Sequence, residues 1–406
     1  MNYPLGIAPF QALPKGLLAL LLLTLGCRDE ALQPPEPIGG ELFARYVAIG
    51  NSITAGYQSG GINATLQQQA YPVLLAAAMG TPFNVPLLRD PGCPPPLINL
   101  LTGERLGDLP GNFCAYRQLP APRIINNVAV PGAKVIDVLT NLGEGTSANT
   151  LTLLLLGGRT QLEAAAEARP TFVSVWIGNN DVLGAAIAGD PALVTPIDAF
   201  RQRYRQMLNQ LQAMGVQGGL LIGVANVAVI PHLSPGIAYA QAKQGGAFPP
   251  TFNVADNCAT TEATALVPFS YAFGELLATA LQGQSVTLDC ADDPRLLSPE
   301  ETATIIQTVQ EYNAFIQQEA ERLGWAYLDP NPILLQLKEN GEIPHFPRLT
   351  SSEPFGPYFS LDGVHPSSLA HQLIAQEAAA AINAVYGTNL QIPVQSPPAQ
   401  QLAVVQ

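Results

Sequence analysis

The amino-acid sequence predicts an α/β protein. The expected architecture is a three-layer α/β/α sandwich around a mainly parallel five-stranded sheet, plus two disulfide-closed insertions. Three observations carry this. Short apolar runs bounded by Gly, Pro or Asn alternate with segments of helical pattern. Two long stretches that each contain a cysteine pair break that rhythm. With 406 residues, 48% of them hydrophobic and 12% charged, the chain can bury a core of full size.

Taken in order, residues 46–49, 83–88, 124–130, 172–177 and 219–224 read as strands, and residues 325–328 as a later one. Helices are expected over 64–79, 134–142 and 196–214. The last of these has Thr195 as N-cap and Pro196 at the first helical position. Ser298, Pro299, Glu300 and Glu301 form a capping box that opens a helix ending at Gly324. An Ala-rich helix over 367–386 stops at Gly387. Such alternation is the flavodoxin-like arrangement of a parallel sheet with helices on both faces. The interruptions are residues 89–122, with three successive prolines from Pro94, and residues 230–297, with Phe248, Phe252, Phe269, Tyr271 and Phe273. Stretches this long and poor in regular structure usually serve function.

The N-terminus reads as a secretory signal over 1–26. Lys15 precedes an apolar run over 17–25, too short to span a bilayer core of roughly 30 Å. Cys27 directly after Leu25 and Gly26 resembles a bacterial lipoprotein processing site, although Thr24 departs from the larger aliphatic residue preferred there. The resemblance implies lipid on Cys27, a tether over 27–40 and a partner membrane. Arg28 leans toward the outer membrane, so the expected location is the cell envelope, facing the outer membrane or periplasm. The folded body is then 41–387, and Pro and Gln in 388–406 suggest a loosely held tail.

Assigning Cys27 to lipid leaves Cys93, Cys114, Cys258 and Cys290, an even number for an oxidising compartment. Three pairings are possible, and proximity selects Cys93 with Cys114 and Cys258 with Cys290. No CxxC spacing points to a metal. Asp289, Asp292 and Asp293 read as a solvated loop. With 18 basic against 31 acidic residues the net charge is -13, which argues against a nucleic-acid partner. Phosphate-loop, dinucleotide and zinc-protease motifs do not occur in the sequence.

Four separated segments together supply the groups that acyl transfer needs. Ser52, in the run from Gly50 to Tyr57, follows the first strand, where a hydroxyl projects from a strand-to-helix turn. Asn127 to Gly132 follows the third strand candidate, and Gly178, Asn179, Asn180 and Asp181 follow the fourth. Asp362 and His365 stand three apart before the final helix. Imidazole can accept a proton near neutral pH, and a carboxylate can orient it. His371 is expected to be a surface or packing residue, and His232 and His345 to be structural.

These segments, in this order, resemble the SGNH hydrolases, also called GDSL lipases and esterases. Asn51 stands where that family usually has Asp, and Ile53 where it has Leu. The resemblance implies Ser52 as nucleophile, His365 as base and Asp362 as the orienting acid. It also implies an oxyanion hole made by Ser52, Gly132 and Asn180. The expected activity is a cofactor-free serine hydrolase, a monomer, cleaving carboxylic esters through an acyl-enzyme. Its substrate would be an acylated lipid or an acylated sugar. Residues 153–156 and the aromatic residues of 230–297 hint at a groove for acyl chains. The alternatives are a polysaccharide acetyl esterase, and a surface lipoprotein that binds glycans or lipids without turnover.

Overall fold

A computed structural model describes Met1 and residues 40–107, 114–259, 265–291 and 293–392. The expected signal segment, Cys27 and its tether lie outside the described residues, apart from Met1 and Gly40. No helix among the described residues is long and apolar enough to cross a membrane.

Four parallel strands make the central sheet: β1 (Tyr46–Gly50), β2 (Phe172–Trp176), β3 (Gly218–Ile222) and β4 (Ala326–Leu328), adjacent in that order. Every residue of β1, β2 and β3 is buried, as a sheet covered on both faces requires. The fifth place, beyond β1, is taken by residues 126–130. Ala48 N–H donates to Asn126 O, and Val128 and Val130 N–H donate to Ala48 and Gly50 O. This stretch pairs through one bridge only, Ala48 with Asn127. The Gly50 N–H goes to Gln161 Oε1 and not to this stretch, which leaves the ladder incomplete. The expected strand over 83–88 does not form. Pro86 lacks an N–H, and Asn84 instead bonds Asn126 through its backbone N–H and C=O.

The helices that matter to the site are α1 (Ser52–Ala55), α2 (Ala64–Gln68), α3 (Tyr71–Met79), α4 (Gln161–Ala168), α5 (Asn180–Ala188), α6 (Ile197–Ala213), α7 (Pro299–Leu323), α8 (Asn331–Glu339) and α9 (Ser368–Tyr386). Strand alternation sorts them into two layers. Tyr46, Ala48, Phe172, Trp176, Leu220 and Ile222 pack with α3 and α9. Val47, Ile49, Val173, Val175 and Leu221 pack with α4, α6 and α7. Phe200 of α6 stacks on Tyr312 of α7, ring centroids 3.8 Å apart, inside the second layer.

Several helix boundaries differ from the sequence reading. Residues 64–79 form two helices, because Pro72 suits only the start of a helix and Ala70 is extended. Residues 134–142 yield one 3-10 turn, Val135–Val138, since the Asp137 side chain takes the N–H groups of Lys134 and Ser147. Helix α6 begins after Pro196, not on a Thr195 cap. Thr195 is buried, and its N–H and C=O are held by Asp181 O and the Tyr312 hydroxyl. The Ser298 capping box and the Gly324 stop of α7 form as expected.

Both insertions are closed by disulfides, Cys93–Cys114 and Cys258–Cys290. The second has more structure than expected: the pairs Leu233–Pro235 with Leu266–Pro268 and Phe252–Val254 with Val286–Leu288, and a helix over Gly236–Gln244. Its aromatic residues stack on one another, Phe248 on Phe252 and Phe269 on Phe273, making a local core. Of the acidic trio, Asp293 pairs with Arg295, while Asp292 lies outside the described residues. The start of the tail is not loose, for Asn383 holds Leu390 through both its N–H and C=O.

Candidate active site

Ser52 opens α1 immediately beyond the carboxyl end of β1. Asn51 caps this short helix, its Oδ1 accepting the Ile53 N–H at 3.1 Å, while its amide reaches Asn179. The Oδ1 half of that role is one an Asp could also fill; the donor toward Asn179 needs the amide. Gly50 must be glycine because a Cβ there would stand 2.7 Å from Trp176 O and 2.3 Å from Thr54 Oγ1.

The structure brings three side chains from opposite ends of the chain into one hydrogen-bonded line. His365 Nε2 lies 2.8 Å from Ser52 Oγ, and His365 Nδ1 lies 2.8 Å from Asp362 Oδ2. Since ionised Asp362 can only accept, Nδ1 carries the proton and Nε2 is free to accept from the hydroxyl. Asp362 Oδ1 takes the backbone N–H groups of Val364 and His365. Burial alone would raise the Asp362 pKa. The His365 charge and hydrogen bonds, with the Val364 N–H, outweigh it and hold the carboxyl well below the usual range. Tyr57 packs its ring 4.9 Å from the His365 ring.

Asn180 is the first residue of α5, and it lines the same cavity as Ser52 and His365. One of its amide hydrogens is spent on Ala133 O at 2.9 Å, which leaves the other available. The next residue, Asp181, is fully buried and accepts the Val135 N–H. Asn180 and Asp181 thus fasten α5 to the loop that carries Gly132. Gly132 itself is exposed with φ +84°, a backbone that glycine adopts without strain, and it is not among the cavity's wall residues. Burial raises the Asp181 carboxyl to about 6.

The cavity is apolar apart from this polar end. Its volume is about 90 Å³. Its walls are Ile53, Trp176, Leu183, Val227 and Ile230, then Ile333, Leu334 and Leu337 of α8, and Phe359, Leu373 and Ile374. The groove residues expected from sequence are elsewhere. The insertion's aromatic residues are absent from the wall, Leu153 is exposed, and Leu155 and Leu156 belong to the core.

A match to the family model for GDSL-like lipases and acylhydrolases covers residues 46–378. This chain belongs to that family. The acylhydrolase is therefore an ester-cleaving serine hydrolase. Among solved structures, it is similar to an acetylxylan esterase variant from Geobacillus stearothermophilus, at 13% identity and a TM-score of 0.38 over 87% of this chain and 96% of that one. It is also similar to a protein described as a GDSL-like lipase from Parabacteroides merdae, at 12% identity and 0.37 over 83% and 94%. Likeness at these scores assigns no substrate. No curated protein matches the acylhydrolase.

Three residues with roles around the site, Gln161, Gly60 and Arg105, were not singled out from sequence, and a fourth, His232, was read only as structural. Gln161 of α4 is buried and bonds Gly50 twice, Nε2 to Gly50 O at 2.8 Å and Gly50 N–H to Oε1 at 2.9 Å. Gly60 donates its N–H to Asp362 Oδ2 at 2.7 Å, and Arg105 donates to Gly60 O at 2.9 Å. His232 places Nδ1 2.9 Å from Asp362 O. Only His232 left a trace, as one of just four histidines in the chain. His371 is fully buried on α9, where its Nδ1 accepts from the Tyr71 N–H, and burial lowers its pKa to about 3. His345 is exposed.

Proposed function

We propose that the acylhydrolase cleaves esters of apolar acyl chains through an acyl-enzyme on Ser52. The observation that carries the reaction is the unbroken line Ser52 Oγ, His365 Nε2, His365 Nδ1, Asp362 Oδ2. His365 takes the hydroxyl proton as Oγ attacks the ester carbon, and Asp362 stabilises the imidazolium. The negative oxygen of the tetrahedral intermediate is met by the Asn180 amide and by the Ser52 N–H, which an α-helix leaves without an intrahelical partner at its first position. Gly132, next to the carbonyl that anchors Asn180, is the third donor in this scheme. The protonated His365 then gives its proton to the departing alcohol, and water repeats the sequence on the acyl group.

The walls of the cavity support the choice of acyl chain. Burying each methylene contributes about 0.8 kcal/mol, close to a fourfold gain in binding per carbon. A sugar placed there would leave its hydroxyls without partners, at about 1–3 kcal/mol each. The test is kcat/KM on p-nitrophenyl esters from acetate to palmitate. A rise with chain length up to at least octanoate is expected, and a steady fall from acetate rejects the acyl-chain reading.

The location stays part of the proposal: export by a signal over 1–26, a lipid on Cys27 and residence in the cell envelope, with the enzyme acting as a monomer. The two disulfides support an oxidising compartment. Metabolic labelling with an alkynyl fatty acid should mark the full chain and not Cys27→Ala. Equal labelling of both rejects the anchor.

A further inference from the structure

Asp362 is gripped from two directions by parts of the chain outside the Ser52–His365 line. On one side, the Gly60 N–H donates to Oδ2, the oxygen that also receives His365 Nδ1–H. The turn that carries Gly60 is fixed by the first insertion. Arg105 donates from Nη1 to both Gly60 O and Pro95 O, Leu97 N–H donates to Ser59 O, and Ile62 exchanges bonds with Pro94 O and the Cys93 N–H. Ser59 in turn reaches across, its N–H to Ser360 Oγ and its Oγ from the Leu361 N–H.

On the other side, the second insertion enters at His232. Its Nδ1 lies 2.9 Å from the Asp362 carbonyl, which can only accept, so that nitrogen is the donor. The His232 N–H donates to Gly363 O, and His232 O receives the Phe269 N–H. The ring is buried, which lowers its pKa.

We propose that Arg105 and His232, one from each insertion, are positioning residues that hold Asp362 in line with His365. The proposal rests on the reading of Ser52, His365 and Asp362 as the catalytic line. Neither residue lines the substrate cavity, so their loss acts on the geometry of proton transfer and not on substrate binding.

The experiment measures kcat and KM separately on p-nitrophenyl butyrate for the full chain and for Arg105→Met, His232→Phe, Arg105→Lys and His232→Asn. Circular dichroism and melting temperature certify folding. Arg105→Met and His232→Phe each lower kcat by about 10- to 100-fold with KM within about twofold. Lys and Asn, which keep a donor, recover most of the loss. If His232→Phe does not fold, His232→Leu carries the same expectation. An unchanged kcat in a folded Met or Phe variant, or Lys and Asn variants as impaired as Met and Phe, overturns the proposal. Ser52→Ala runs alongside: if it keeps activity, the catalytic line itself is wrong. If it is inactive while Arg105→Met and His232→Phe are unimpaired, only the positioning role is wrong.

Discussion

Gln161 and Gly50, 111 residues apart, hold each other by two hydrogen bonds, one in each direction, two residues before Ser52. The amide of Gln161 does what a neighbouring strand would do for Gly50, and it does so where the sheet ends and α1 begins. The turn that leads to Ser52 is thereby held by a side chain of α4. Gln161→Leu leaves the Gly50 N–H buried without a partner, while Gly50 O keeps the Val130 N–H. At about 1–3 kcal/mol for one buried unsatisfied donor, the variant is expected to lose about 1–3 kcal/mol of stability. Urea denaturation reads this directly, and a loss under about 0.5 kcal/mol contradicts it.

Asn180 tests the oxyanion assignment. Asn180→Ala removes one donor, so kcat is expected to fall by about 10²–10³ with little change in KM. The same change also frees Ala133 O, so melting temperature should be measured beside the kinetics. A variant that keeps more than about half of kcat removes Asn180 from the oxyanion hole.

Asp362→Asn probes the acid. An amide cannot compensate the imidazolium, and if its NH₂ faces Nδ1 it forces the wrong tautomer on His365. The expected loss in kcat is about 10⁴, with folding intact. Activity within tenfold of wild type means that Asp362 does not orient the base.

Asp181 links stability to pH. Its carboxyl is raised to about 6 by burial, above the ordinary 3.8, so the folded state binds the proton more tightly than the unfolded one. This contribution to stability is therefore fully present below about 3.8, declines as pH rises to about 6, and is absent above that. Asn mimics the protonated acid and can still accept the Val135 N–H. Asp181→Asn is expected to match wild type at pH 4 and to be more stable at pH 8, on the order of 1–3 kcal/mol. Melting curves at the two pH values decide it, and an equal shift at both refutes the assignment.

The proposed acyl site predicts a change of preference by substitution on α8. Leu334 lines the wall, and Leu334→Trp fills part of the space. The optimum on p-nitrophenyl esters should move to shorter chains, with acetate and butyrate hydrolysed at nearly the original rate. An unchanged chain-length profile places the acyl group elsewhere.

Much of this protein could be read from its residues in order. Short, mostly apolar strand runs, the Ser298 box and the glycines that end α7 and α9 are local signals, so they needed no partner to be recognised. Ser52, Asn180, Asp362 and His365 were legible for a related reason. Each sits at a strand end or helix entry whose short motif can be recognised without knowing its neighbours. The disulfide pairs followed from proximity along the chain.

Other features became visible only when distant segments met. The strand over 83–88 was lost to Pro86 and to the asparagines that bond across to it. Gln161, Gly60, Arg105 and His232 carry no local mark, since each acts through a hydrogen bond to a residue at least 45 positions away. The cavity beside Ser52 draws its walls from segments that no single stretch of sequence unites, while the aromatic residues that suggested a groove spend their apolar surface on each other. Local periodicity and capping depend on neighbours within a few positions, and these the sequence determined. Which buried donor meets which acceptor, and which apolar faces are left to line a cavity, depends on packing across the whole chain, and only the tertiary structure decided it.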